Sequence, residues 1–249
     1  MIRRSWKPIW GSAMSDAKDL LTVANLHAWY GESHILHGAS FAVQRGELVT
    51  LLGRNGAGKT TILKSIMGLV GRRSGSIGLN GRETIDMQTH HIARLGIGYC
   101  PEERGIFSSL NVEENLLLPP VIKEGGMTLE EIYEMFPNLL ERRTSIGTRL
   151  SGGEQQMLAM ARILRTGADL LLLDEVTEGL APVIVQTIGR LVRQLKEKGF
   201  TIILVEQNFH FAANLADRHY IIEHGTIADM IGREELPAST ERLNRYLGV

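Results

Sequence analysis

The sequence has a single cysteine, Cys100, among 249 residues, so no disulfide can close within the chain. That excludes a disulfide-stapled scaffold and fits a reducing compartment. Surplus charge is missing too. With 27 Lys and Arg against 28 Asp and Glu, the formal net charge is −1, and no overall field draws the chain toward nucleic acid or anionic lipid. Any polyanion must therefore be met locally. No apolar run approaches the roughly 20 residues that a membrane-crossing helix needs. The N-terminus carries Arg3, Arg4 and Lys7 without the apolar centre of an export signal. Residues 1–18 follow neither a helical nor a strand period, and Met14 offers a second start, so a disordered extension is expected there. His90, His91, His210, His219 and His224 lack the spacing of metal ligands and are expected to meet solvent or local hydrogen bonds.

What is present begins with Gly53-Arg54-Asn55-Gly56-Ala57-Gly58-Lys59-Thr60, directly after the apolar run Leu48-Val49-Thr50-Leu51-Leu52. Glycines at both ends let the backbone curl so that successive N–H groups point at phosphate oxygens, Lys59 adds a point charge, and the Thr60 hydroxyl can ligate Mg²⁺. The helix-like stretch from Thr61 onward puts those amides at a helix start. This pattern predicts a nucleotide site built from residues 53–61.

The rest of the chain reads as an α/β protein, and 43% hydrophobic residues over this length suit one large domain or a core with an inserted subdomain. Alternation in Leu21 to Tyr30 and in Ala39 to Val43 predicts a short antiparallel sheet, with Tyr30-Gly31-Glu32-Ser33 as its turn. Gly75 to Gly81 reads as a strand and turn, and Ile97 to Cys100 as a buried strand. From Val112 to Arg162 the spacing turns helical. Four leucines in Leu170-Leu171-Leu172-Leu173 then predict a strand buried on both faces, ending in Asp174 and Glu175 at the ligand edge of the sheet. Two readings of that acidic pair stand: Asp174 holding Mg²⁺ with Glu175 polarising an attacking water, or an acidic cap on the next helix. Thr201 to Val205 predicts a further strand whose end places Glu206, Gln207 and Asn208 at the same edge, and Arg218 to Ile227 reads as a terminal hairpin. Met157 and Met160, at helical spacing, are expected to pack.

Between the loop and the acids lies Leu150-Ser151-Gly152-Gly153-Glu154-Gln155, where a serine and two glycines at a helix start form a second candidate anion site. In sequence and order this segment resembles the signature of the ATP-binding cassette family, and the resemblance runs from about Leu21 to Val249. It implies a P-loop NTPase: a RecA-like core with a mixed sheet, an N-terminal antiparallel β subdomain and an α-helical subdomain inserted at about residues 103–162. The ATPase domain would span 19–237, with 238–249 as a C-terminal helix or tail. The resemblance further implies ATP and Mg²⁺ as ligands, Thr60, Asp174 and Glu102 around the metal, and Glu175 and Gln207 in hydrolysis. It makes Tyr30 the ring that stacks on adenine, although position alone would equally suit a core residue. Ser151, Gly152, Gly153, Glu154 and Gln155 would cover the ATP held by a second cassette, the same chain or a different one, bound head to tail.

Residues 101–107, 112–116 and 178–182 are similar to the second ATPase subunit of branched-chain amino acid importers, and importers of amides and urea share much of that wording. The implied partners are a second cassette, membrane permease subunits docked near residues 103–120 and, indirectly, a periplasmic or extracellular solute-binding protein, with the chain on the cytoplasmic face of the membrane. No nucleic-acid partner is expected. A soluble cassette acting on nucleic acid or ribosomes is the alternative, but neither a coiled-coil insertion nor a tandem cassette is visible. Four positions depart from the broad family pattern: Glu102 for glutamine, Gln207 for the switch histidine, Ala181 for aspartate and Val176 for proline. Gln207 can hydrogen-bond a phosphate or water but cannot carry a proton across neutral pH. With Ala181 it leaves room for a third role, a subunit that binds ATP without turning it over.

Overall fold

The computed structural model describes residues 19–247. The first two strands, β1 (Asp19–Tyr30) and β2 (Ser33–Gln44), form an antiparallel hairpin turning at Gly31 and Glu32. Next come β3 (Leu48–Leu52), α1 (Lys59–Ile66), β4 (Arg72–Leu79), the two-residue β5 (Arg82–Glu83), α2 (Thr89–Ala93) and β6 (Ile97–Cys100). A helical stretch holds α3 (Val112–Leu117), α4 (Leu129–Met135), α5 (Pro137–Glu141) and α6 (Gly152–Leu164). The chain then runs through β7 (Leu170–Asp174), α7 (Pro182–Glu197), β8 (Thr201–Glu206), α8 (Phe209–Ala213), β9 (Arg218–Glu223), β10 (Thr226–Gly232) and α9 (Thr240–Leu247).

Two sheets organise these strands. One is antiparallel, in the order β2-β1-β4-β5. The other is mixed, in the order β10-β9-β3-β8-β7-β6, with β10 antiparallel and every other neighbouring pair parallel. Its central strands are buried along their whole length, which explains their unbroken apolar sequences. In β7, Leu170 and Leu172 enter the core shared with α1 and the antiparallel sheet, while Leu171 and Leu173 enter the core shared with α6 and α7. In β8, Ile203 and Val205 divide from Ile202 and Leu204 in the same way. The register sets Leu52 beside Glu206, Val205 beside Asp174, and Leu173 beside Cys100. The carboxyl ends of β3, β8, β7 and β6 therefore finish side by side, which creates the edge where the chemistry collects.

The helical spacing over 112–162 resolves into separate helices, with Pro119 and Pro120 stopping α3 and α6 starting at Gly152. Two sequence expectations change here. The reading of Asp174 and Glu175 as a helix cap fails, since the following helix starts at Pro182 with Ala181 at its cap position. The hairpin from Arg218 is not terminal: β9 pairs with β3 inside the main sheet, and α9 follows. The expectation for residues 1–18 lies outside the described residues.

Candidate active site

The loop after β3 takes its shape from glycine at two points. A side chain on Gly53 would place Cβ 2.4 Å from the Ile222 carbonyl oxygen, and Gly58 holds φ at +109° where it caps α1. No side chain caps α1, which leaves the amides of its first turn available to an anion. Lys59 is 4% exposed and donates to the carbonyls of Gly53 at 2.9 Å and Arg54 at 3.2 Å, while its Nζ sits 3.3 Å from Glu175 Oε1. The Arg54 side chain points to solvent and Ala57 is buried.

Thr60 donates its hydroxyl to Asp174 Oδ1 at 3.0 Å, and Tyr99 donates its phenol to Asp174 Oδ2 at the same distance. Asp174 is fully buried, and burial pushes its carboxyl up to about 6 against the pull of the Thr60 and Tyr99 hydrogen bonds. A buried carboxyl met by two neutral hydroxyls, one of them at the mouth of the phosphate loop, is a hard-oxygen set that suits a small divalent cation. Beside it Glu175 adopts φ +46°, a left-handed turn that swings the chain off β7 while its amide donates to the Val205 carbonyl at 3.0 Å.

These groups open on a cavity of about 410 Å³. Tyr30 and Ile35, the loop and helix-start residues Asn55, Gly56, Gly58, Lys59, Thr60 and Thr61, and the acids Glu102, Glu175 and Glu178 line it. Tyr30 is 47% exposed, so its ring is displayed rather than packed in the core. Carboxylate oxygens of Glu102, Glu175 and Glu178 lie within 4.8 Å of one another. A hydrogen bond to Glu175, and then the charge of Glu175, raise the Glu178 carboxyl above the ordinary range. Gln207 is exposed in an adjoining hollow of about 300 Å³ together with Glu175 and Thr177.

The segment at 151–155 lies elsewhere. Ser151 Oγ accepts from the Glu154 amide at 3.3 Å and Glu154 Oε2 accepts from the Ser151 amide at 2.8 Å, a reciprocal cap on α6. Gln155 donates to the Leu150 carbonyl at 3.0 Å, Gly153 is buried, and none of the five residues lines the 410 Å³ cavity. Of the three polar residues expected at the end of β8, only Gln207 faces outward unengaged. Glu206 turns inward to Thr177, and Asn208 caps α8. Sequence reasoning missed Tyr99 and Glu178. The signal for Tyr99 was one hydroxyl in an otherwise apolar buried strand.

Comparison with known proteins agrees with this geometry. Residues 36–178 match the family model described as ABC transporter. The chain is 42% identical over 92% of its length to the whole of BraG, a high-affinity branched-chain amino acid transport ATP-binding protein of Pseudomonas aeruginosa. It is 36% identical to a probable branched-chain amino acid transport ATP-binding protein, LivF, of Archaeoglobus fulgidus, covering 84% of this chain and 90% of that protein. The lipopolysaccharide export system ATP-binding protein LptB of Haemophilus influenzae is 33% identical over 92% of this chain and 97% of its own length. Among solved structures, an ATP-binding subunit of an ABC transporter matches with TM-score 0.76 and 28% identity over 92% of this chain and 100% of that one. A nucleotide-free ATP-binding cassette shares the fold at TM-score 0.78 and 23% identity, covering 90% and 95% of the two chains. Phosphate loop, acidic strand end and capped glycine segment thus stand in one fold with these relatives, and the chain belongs to the ABC transporter family as one of its ATP-hydrolysing cassettes.

Proposed function

We propose that the chain is the motor subunit of a membrane importer for branched-chain amino acids, working at the cytoplasmic face beneath permease subunits and paired head to tail with a second cassette. The observation that carries this reading is the division of the phosphate-binding groups. Lys59, Thr60, Asp174 and Glu175 converge on one cavity, while Ser151, Gly152 and Gly153 sit apart, available to another chain's ATP. The BraG and LivF relatives support the solute class.

In this mechanism adenine stacks on Tyr30, and the phosphates settle on residues 53–61 against the α1 amides. Lys59 exchanges the loop carbonyls and Glu175 for phosphate oxygens. That exchange frees Glu175 to accept a proton from the attacking water, and Gln207 orients the water by a hydrogen bond. Thr60 and Asp174 would hold Mg²⁺ with Glu102 at its margin, and the metal supplies charge neutralisation for the phosphates. Glu102, Glu175 and Glu178 crowd negative charge into this cavity, and Lys59 is the basic side chain in its lining. Exposed Phe107, Leu117 and Leu118 provide an apolar face for a permease helix within the stretch expected to dock it.

The test is uptake into vesicles carrying the permeases, the binding protein and both cassettes. Leucine accumulation should require ATP and disappear with Glu175→Gln. Uptake of amides or urea in place of leucine overturns the solute class, and outward transport of lipopolysaccharide would instead follow the LptB relatives.

A further inference from the structure

Glu206 closes β8 next to Leu52 and is 2% exposed. Both of its carboxyl oxygens lie against one hydroxyl, Thr177 Oγ1, at 3.0 and 2.9 Å, and Thr177 is buried as well. The Thr177 amide adds a further hydrogen bond. Among the described residues no basic side chain pairs with Glu206, and Lys59 of α1 is engaged by Glu175. The charged groups that face it, Glu175 and Glu178, are both acids from the loop after β7. A hydroxyl can donate one proton and accept another, so a neutral carboxyl and the Thr177 hydroxyl satisfy each other reciprocally, whereas an ionised carboxylate only accepts and leaves that hydroxyl's lone pairs without a donor. Burial is the largest influence on Glu206. Despite the opposing Thr177 hydrogen bonds, it and the neighbouring acids push the carboxyl up to about 8.

We propose that Glu206 is a positioning residue that works as the neutral acid, tying the loop that carries Glu175 to the strand end that carries Gln207 through Thr177. This inference rests on the hydrolytic roles proposed for Glu175 and Gln207. Among the described residues one further hydrogen bond fastens the same loop to β8, from the Glu175 amide to the Val205 carbonyl. Ionising Glu206 puts a third negative charge in the hollow shared with Glu175 and Glu178 and loosens the clasp, so the groups that act on water lose their spacing. The phosphate loop is built from other residues. The expected signature is therefore a loss of kcat on the alkaline side with little change in KM.

The experiment measures Mg-ATP turnover by the full chain from pH 6 to 9.5 for the parent, Glu206→Gln, Glu206→Ala and Thr177→Val, with binding of a fluorescent ATP analogue as a check on folding. Parent kcat should fall as pH rises through about 8, with KM held within about twofold. Glu206→Gln, which keeps the shape and stays neutral, should retain at least about half the parent turnover at pH 7 and lose that alkaline limb, while Glu206→Ala and Thr177→Val should drop roughly tenfold in kcat. If Glu206→Gln is as slow as Glu206→Ala at pH 7, the ionised form is required and the proposal is wrong. An alkaline limb unchanged in Glu206→Gln overturns it equally. Turnover that survives Glu175→Gln overturns the underlying assignment instead, and that failure shows in the Glu175 variant alone.

Discussion

Two helix starts in this molecule carry glycine-rich sequences, and they are finished differently. The start of α1 has Gly58 at its cap position and no side chain bonded to its first amides. The start of α6 is closed by Ser151 and Glu154, each satisfying the other's amide. An uncapped start held beside Lys59 and Asp174 can receive phosphate as it stands. At α6 the reciprocal cap uses the Ser151 hydroxyl and the Glu154 amide, leaving the amides of Gly152 and Gly153 ahead of the first helical acceptor. Such an end can add to an anion held by something else but is poorly equipped to bind one alone. In the proposed function the first receives phosphate and the second covers a neighbour's.

The largest expected effect bears on α1. Lys59→Ala should weaken ATP binding on the order of 100-fold, as expected for losing a charge-assisted contact, and equilibrium dialysis would show it. An equal loss from substitution at Ser151 would erase the contrast between the two ends. Next, Tyr99→Phe removes one of the two hydroxyls on Asp174, and the Mg²⁺ concentration that half-saturates turnover should rise about tenfold. A smaller effect is expected at α6. Ser151→Ala should cost about 1 kcal/mol of stability in thermal melts through loss of the cap, with ATP affinity of the single chain unchanged. The slowest-varying signal is pH. Because Glu206 is raised from the ordinary glutamate value of 4.5 to about 8 in the folded chain, its contribution to stability should be fullest below about 4.5, decline as pH rises and level off above about 8. Denaturant melts of Glu206→Gln should lack that component of the slope.

Chemistry that is contiguous in the chain was legible without a structure. Residues 53–61 and the acids after the Leu170 to Leu173 run were placed at one sheet edge from local order, and they meet there, because a strand, a tight loop and a helix start need nothing else to define them. Contacts set by strand register were not. Tyr99 reaches Asp174 because β6 lies beside β7 with Tyr99 next to Leu172, a pairing that no local pattern states. Glu206 was placed at the open edge with Gln207, yet period-two alternation puts it on the side of Ile202 and Leu204, both buried in the core under α7. Carrying the alternation one residue further would have turned that acid inward.

The central claim is that α1 of one cassette and α6 of another share each ATP. Sedimentation of Glu175→Gln with Mg-ATP tests it most directly, with and without Ser151→Arg in the same chain. The account predicts an ATP-dependent dimer that Ser151→Arg abolishes while ATP binding by the monomer is preserved. A dimer that survives Ser151→Arg, or an equal loss of monomer ATP binding, would contradict it.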